Sequence, residues 1–234
     1  MTDPIHTTLG ALVTAHPGAA RVLERHELDY CCGGGARLGD ACESAGIDPL
    51  VVLSELESLA DEPAAPWASM GPTELIAHLE STHHQYLGSE LPRLSALAEK
   101  VESVHGDRHP ELADVRARFE ELRADLEPHL LREERVLFPM VRELEQAATA
   151  PEFHCGTLRN PIGVMESEHD RAGELLAMLR RLTDGFEPPA DGCASYRALY
   201  DGLAELEADT HLHVHKENNV LFPAVVALEA QKGS

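Results

Sequence analysis

One short pattern occurs twice in this chain, and it leaves few folds open. His129 to Pro139 reads HLLREERVLFP and His213 to Pro223 reads HVHKENNVLFP, so both copies carry H-x3-E-x2-VLFP. A spacing of four puts the histidine and the glutamate one turn apart on one helical face. That face is otherwise apolar in both copies. The first aligns Leu122, Leu126, His129, Glu133, Val136, Leu137, Met140 and Leu144; the second aligns Leu206, Thr210, His213, Glu217, Val220, Leu221 and Leu228. A buried carboxylate is costly unless it is paired or bound to a cation. Two inward-facing His–Glu pairs therefore call for helices packed around metal.

Two further helical patterns supply matching donors. The spacing predicts four long helices: Pro72 to Val104, Pro110 to Ala148, Pro161 to Gly185 and Ala194 to Leu228. His169 lies on the stripe Ile162, Met165, Ala172, Leu176 and Leu179 of the third. In the first, His83 and His84 point about 100° apart, so only one is central. His84 lines up with Leu87 and Leu91 and is the better candidate, although His83 shares Leu79 and Leu87. The successive intervals along His84, His129, His169 and His213 are 45, 40 and 44 residues, each long enough for one antiparallel return. All four levels can coincide in a four-helix bundle. Pro92, Pro128, Pro139 and Pro223 fall inside these helices, where each removes a hydrogen bond and permits a kink.

The candidate metal ligands are His84, His129, Glu133, His169, His213 and Glu217. Six donors exceed one four-coordinate zinc site. Two carboxylates that bridge, with two imidazoles per ion, fit a pair of first-row metals with an oxo or hydroxo bridge. Mixed nitrogen and oxygen ligation without thiolate fits iron or manganese better than copper. Two iron ions per chain is the expectation. His211 and His215 share another face and are expected toward solvent or behind a ligand. Glu134 points off the ligand face, so an ordinary salt bridge is its default, and Glu166 or Glu168 can orient a ligand imidazole.

A separate N-terminal unit precedes the bundle. Short helices are expected over Thr7–Thr14, Pro17–His26 and Ala36–Ala45, and from Pro49 onward, where Leu50, Leu53, Leu56 and Leu59 form a stripe. Residues 61–72 hold three prolines and a glycine and read as a linker, pinned by Trp67. The expected division is a small helical domain at 1–62 and a bundle at 63–234, an all-α fold. Leu and Ala far outnumber the aromatics, which suits helix packing.

Charge and cysteine usage narrow the partners. Nineteen basic and 41 acidic residues give a formal net charge of -22, which repels a phosphate backbone and argues against nucleic acid. No apolar run reaches the roughly 18 residues of a membrane span, and Met1–Leu12 lacks the pattern of a targeting signal. The cysteines are Cys31, Cys32, Cys42, Cys155 and Cys193, an odd count that reads as reduced cytoplasmic thiols. Cys31 and Cys32 precede three glycines, whose open backbone N–H groups would lower a thiol pKa. They are the candidate reactive pair; the alternative is two small buried hydrophobes before a turn. His154 and Cys155, in the loop after the second helix, have no assigned role.

On these residues the chain resembles the iron–sulfur cluster repair di-iron proteins, which join a hemerythrin-like domain to a small Cys-Cys domain. The resemblance is carried by Asp29-Tyr30-Cys31-Cys32-Gly33-Gly34, by Lys100-Val101-Glu102 with Val104-His105, by Met165-Glu166-Ser167-Glu168-His169-Asp170, and by Glu217-Asn218-Asn219-Val220-Leu221-Phe222-Pro223. It implies a cytoplasmic protein that restores clusters damaged by nitric oxide or peroxide, by donating iron to damaged iron–sulfur proteins. It places ligands on His84, His129, His169 and His213, bridging carboxylates on Glu133 and Glu217, and the paired thiols on Cys31 and Cys32. Turnover of nitric oxide, oxygen or peroxide at the same centre, or an oxygen or iron carrier or sensor, are the alternatives. A homodimer joined through the small domain is also expected.

Overall fold

A computed structural model of the protein describes residues 4–59 and 65–233. The expected boundary at 62/63 and the first part of the linker lie outside the described residues. The fold is all-α; among the described residues the only β pairings are two isolated bridges, Thr8 with Arg37 and Phe153 with Gly156.

Short helices α1 (Leu9–Ala15), α2 (Ala19–Arg25), α3 (Leu38–Ala45) and α4 (Pro49–Glu57) come first. Their ends follow from local chemistry. Thr8 accepts the Ala11 N–H at the start of α1, and Asp48 accepts the Leu50 N–H at the start of α4 ahead of Pro49. Gly46, at φ 70°, closes α3 in the left-handed conformation. The α4 stripe is not as the spacing suggests: Leu50 is 64% exposed while Val52 is fully buried. Leu53 and Leu56 are only partly covered.

The long helices follow: α5 (Pro72–Leu79) with α6 (Gln85–His105), α7 (Glu111–Arg132) with α8 (Phe138–Gln146), α9 (Arg159–Leu182), and α10 (Ala194–Lys216) with α11 (Phe222–Lys232). Three of these four runs are interrupted by a π-helical turn, at Glu80–His84, Glu133–Leu137 and Glu217–Leu221. In each, the next residue's N–H (Gln85, Phe138 or Phe222) reaches the carbonyl five residues back. Two of the π turns lie just before Pro139 and Pro223, where kinks were expected. Proline has no N–H to close an α turn, so the wider turn just before it is tolerated. Pro92 and Pro128 lie within α6 and α7 without such a turn. One extra residue per turn also rotates the helix beyond it. Val136, expected on the buried face, is 42% exposed, and Phe138 and Val141 are buried past it.

The chain divides into two compact units. The first comprises Met1–His78, Met140–Asn160 and His211–Ser234. Its core joins Leu9, Val13, Leu23, Tyr30, Leu38 and Val52 to Val214 of α10. The second comprises Leu79–Pro139 and Pro161–Thr210. Parts of all four long runs meet there around Leu87, Leu91, Leu94, Phe119, Leu122, Leu175, Leu176 and Leu203. No helix among the described residues is long and apolar enough to cross a membrane.

Candidate metal centre

The π turns occur where the ligand candidates lie. His84 ends the first, Glu133 opens the second and Glu217 opens the third. A π turn inside an α-helix swings one side chain out of register with its neighbours, which is why such turns gather at functional sites.

In the second unit, His84, His129, Glu133 and His169 are all buried, and Glu133 is wholly shielded from solvent. The Nε2 atoms of His84 and His129 each lie 3.5 Å from Glu133 Oε2. His169 Nε2 and His129 Nε2 are 3.1 Å apart, so both rings aim at one small volume. The outward ring nitrogens meet carboxylates. His84 Nδ1 donates to Glu134 at 2.9 Å, and His129 Nδ1 donates to Glu168 at 2.8 Å. A carboxylate on Nδ1 fixes the ring and leaves the Nε2 lone pair for a metal. Glu168 is gripped in turn by Arg132 at 2.6 Å. Burial alone would raise the Glu168 carboxyl, but Arg132 and His129 outweigh it and hold it below its ordinary range.

Glu134 thus makes its ion-pair contact with the candidate ligand His84. Glu168 orients His129, not its helix neighbour His169. His83 is also buried, and its Nδ1 donates to Asp209 at 2.8 Å. Its neighbour relation to His84 concealed that role, because both rings find space around the π turn.

In the first unit, His213 Nε2 lies 3.1 Å from Glu217 Oε1, and both residues are buried. His215 differs from expectation. It is fully buried, with its ring edge-on to Tyr30 and Trp67 at 5.7 Å each. Its Nδ1 is 3.3 Å from the Tyr30 carbonyl and its Nε2 3.3 Å from Thr14 Oγ1. Burial drives its pKa down to about 4, so it is neutral at physiological pH. Trp67 is buried as expected, with Lys216 Nζ 5.3 Å from its ring centroid. His211 is partly exposed and 4.0 Å from Glu24.

The side chains group by ligand atoms. His84, Glu133, His213 and Glu217 offer one set within 4.8 Å of one another, and His129, Glu133, His169 and Glu217 offer another. Both sets contain both glutamates. Four imidazoles and two carboxylates form a donor set suited to first-row metals of intermediate softness, and buried carboxylates are what a divalent cation stabilises.

Asp29, Cys31 and Cys32 form a third set, with one ligand atom each within 4.8 Å. Here the expectation of open backbone donors fails. Asp29 Oδ1 accepts the N–H groups of Cys31 and Cys32, and Oδ2 accepts that of Gly33, at 2.8–3.0 Å. The Cys31 thiol also donates to Asp29 Oδ1 at 3.1 Å. Cys32, burial and Asp29 together push the Cys31 thiol well above its ordinary range, opposite to the expected direction. Cys31 is buried and Cys32 half-buried.

These features define a histidine- and glutamate-lined helical cation-binding protein, and comparison with known proteins agrees. Residues 75–225 match the family model described as the hemerythrin HHE cation binding domain, and residues 5–60 match a domain of unknown function, DUF542. The chain is 37% identical to a probable iron-sulfur cluster repair protein of Haemophilus influenzae, over 93% of this chain and 96% of that one. It is 36% identical to the iron-sulfur cluster repair protein YtfE of Enterobacter sp. strain 638, and equally to that of Escherichia coli O17:K52:H18, each over 94% of this chain and 97% of the relative. The chain belongs to the hemerythrin-domain family of iron–sulfur cluster repair proteins.

Proposed function

We propose that this protein holds two iron ions and restores iron–sulfur clusters damaged by nitrosative or oxidative stress by supplying iron. The observation that carries the reading is the pair of ligand sets sharing Glu133 and Glu217. A carboxylate common to both sets can serve two ions. His84 and His213 would complete one ion's set, and His129 and His169 the other's. Iron held there supplies redox chemistry toward nitric oxide, oxygen or peroxide. The chain's own residues do the rest. Glu134 and Glu168 keep the Nδ1 protons of His84 and His129, so the inward nitrogens stay free to bind. The apolar surroundings of α6, α7, α9 and α10 exclude bulk water.

Residues 63–234 would carry the metal centre, and 1–62 the thiols Cys31 and Cys32 that guide iron toward a damaged client. Five unpaired cysteines suit a reducing cytoplasm. The relatives named for cluster repair point to damaged iron–sulfur proteins as clients, with a homodimer as the assembly to look for.

The test is iron analysis with Mössbauer spectroscopy on anaerobically purified protein, beside Glu133→Ala and Glu217→Ala. A coupled iron pair in the wild type, lost in both variants, is expected. The same samples should restore activity to a nitric oxide-damaged [4Fe–4S] enzyme only when loaded. An unchanged coupled signal in either variant overturns the ligand assignment, and loaded protein that restores nothing overturns the repair role.

A further inference from the structure

Within the first unit, the thiol turn is tied to the helix that carries His213 and Glu217. Asn219 Nδ2 donates to the Cys31 carbonyl at 2.9 Å and to the Tyr30 carbonyl at 3.3 Å. His215 Nδ1 adds a contact to the same Tyr30 carbonyl at 3.3 Å. Asn219 lies in the π turn Glu217–Leu221, two residues after the candidate ligand that opens it.

The fit around Asn219 is close. A Cβ on Gly34 would lie 2.3 Å from Asn219 Oδ1, and one on Gly10 would lie 2.6 Å from it. Gly10 N–H donates to the Gly34 carbonyl at 2.8 Å, so the two glycines meet beside the amide. Only residues without a side chain admit Asn219 there. A joint this tight transmits a displacement of the π turn instead of absorbing it.

We propose that Asn219 is a positioning residue that couples the Cys31–Cys32 turn to Glu217, so that iron at Glu217 and reactivity of the thiols control each other. The inference rests on the di-iron reading above. Iron fixes the Glu217 carboxylate and with it the π turn; Asn219 then holds the Tyr30 and Cys31 carbonyls and restrains the half-buried Cys32. Loss of iron frees the turn and the thiol. Such coupling is reciprocal in binding free energy: if iron favours the form of the turn that shields Cys32, a turn held open by a blocked thiol must bind iron more weakly.

The test measures Cys32 alkylation by iodoacetamide, with mass-spectrometric site assignment, in iron-loaded and iron-free full-length protein. A rate about tenfold slower in loaded wild type is expected, within the range of known coupling energies. Iron competition with a chelator should show alkylated protein binding iron more weakly than unmodified protein. Asn219→Asp keeps the shape but replaces the amide donor with a carboxylate, and Asn219→Ala removes the donor without adding charge. Either should bring the loaded-to-free ratio to about one while iron per chain stays at the wild-type value and buried Cys31 stays slow. Rapid alkylation of Cys31 in both variants would mean the turn has simply unfolded, and would overturn the positioning role. A tenfold ratio that survives in both variants overturns it too. Wild-type protein that carries two irons and shows a ratio near one overturns this inference alone; wild-type protein that carries no iron overturns the di-iron reading with it.

Discussion

The two copies of H-x3-E-x2-VLFP share six of eleven residues and have different neighbours. Around His129 and Glu133 the additions are carboxylates: Glu168 on His129, Glu134 on His84, and Arg132 behind Glu168. Around His213 and Glu217 the additions are the buried His215, and Asn219 reaching into the thiol turn. The backbone answer is the same both times, a π turn opening on the glutamate. The shared pattern builds the candidate His–Glu pair, and the residues that differ between the copies decide what that pair is connected to. Glu134 in the first copy corresponds to Asn218 in the second, and Arg135 to Asn219.

The largest effect should be one the copies share. Glu133 and Glu217 are both wholly shielded from solvent. Without a cation, such a carboxylate costs more than a neutral group of the same shape. Glu133→Gln and Glu217→Gln should each abolish the extra stability that iron confers on the wild type, roughly 3–4 kcal/mol with iron in 100- to 1,000-fold excess over its dissociation constant. Urea unfolding midpoints of loaded and iron-free protein measure it. If only one variant behaves this way, the copies are not equivalent ligands.

The next effect should divide them. Glu168→Gln and Glu134→Gln remove the carboxylates behind two imidazoles and should lower iron affinity about 10–100-fold each. Arg132→Ala, which loosens Glu168 without removing it, should do less. Chelator competition gives the ranking. An affinity unchanged in Glu168→Gln would erase the gripping role that sets the first copy apart.

Much of this was legible in the sequence because helical periodicity is strong where the core is apolar. The faces through His129, His169 and His213 were read from spacing, and the structure buries all three. Periodicity fails where the helix changes pitch. The extra residue in Glu133–Leu137 left Val136 exposed, although it stood on the apolar stripe. It also fails where a partner is distant in sequence. Nothing near Glu168 indicates that it serves His129, 39 residues away. His215 was expected toward solvent or behind a ligand because its own helix face is mixed; Tyr30 and Trp67 bury it from outside that helix. The proline in VLFP was a partial signal for the π turns, but the turn at Glu80–His84 has no proline after it.

A smaller effect concerns the thiols. Cys31 is held protonated first by Cys32, then by burial and Asp29. All three disfavour the thiolate, so its alkylation should remain slow through the pH range where an ordinary thiol reacts and rise only above it. Cys32→Ala removes the largest cause and should shift the Cys31 profile to lower pH, further than Asp29→Asn does. A wild-type profile like that of a free thiol would contradict the packing of the turn.

The smallest effect, that of Tyr30→Phe, lies beside the second copy. Tyr30 is 1% exposed, and its hydroxyl donates to Glu24 at 2.7 Å. Tyr30→Phe removes that bond but keeps the ring against His211 and His215. Glu24 is partly open to solvent, so water can take the lost donor's place. The cost should be about 1 kcal/mol of unfolding free energy. Tyr30→Ala also removes the ring and should cost about 3–5 kcal/mol. The pair separates two ways in which Tyr30 can support its turn. If the carbonyl contacts from Asn219 and His215 position the turn, Phe should preserve the iron-dependent protection of Cys32 and Ala should erode it. If the hydroxyl bond positions the turn, Phe alone should erase that protection, despite its small effect on stability.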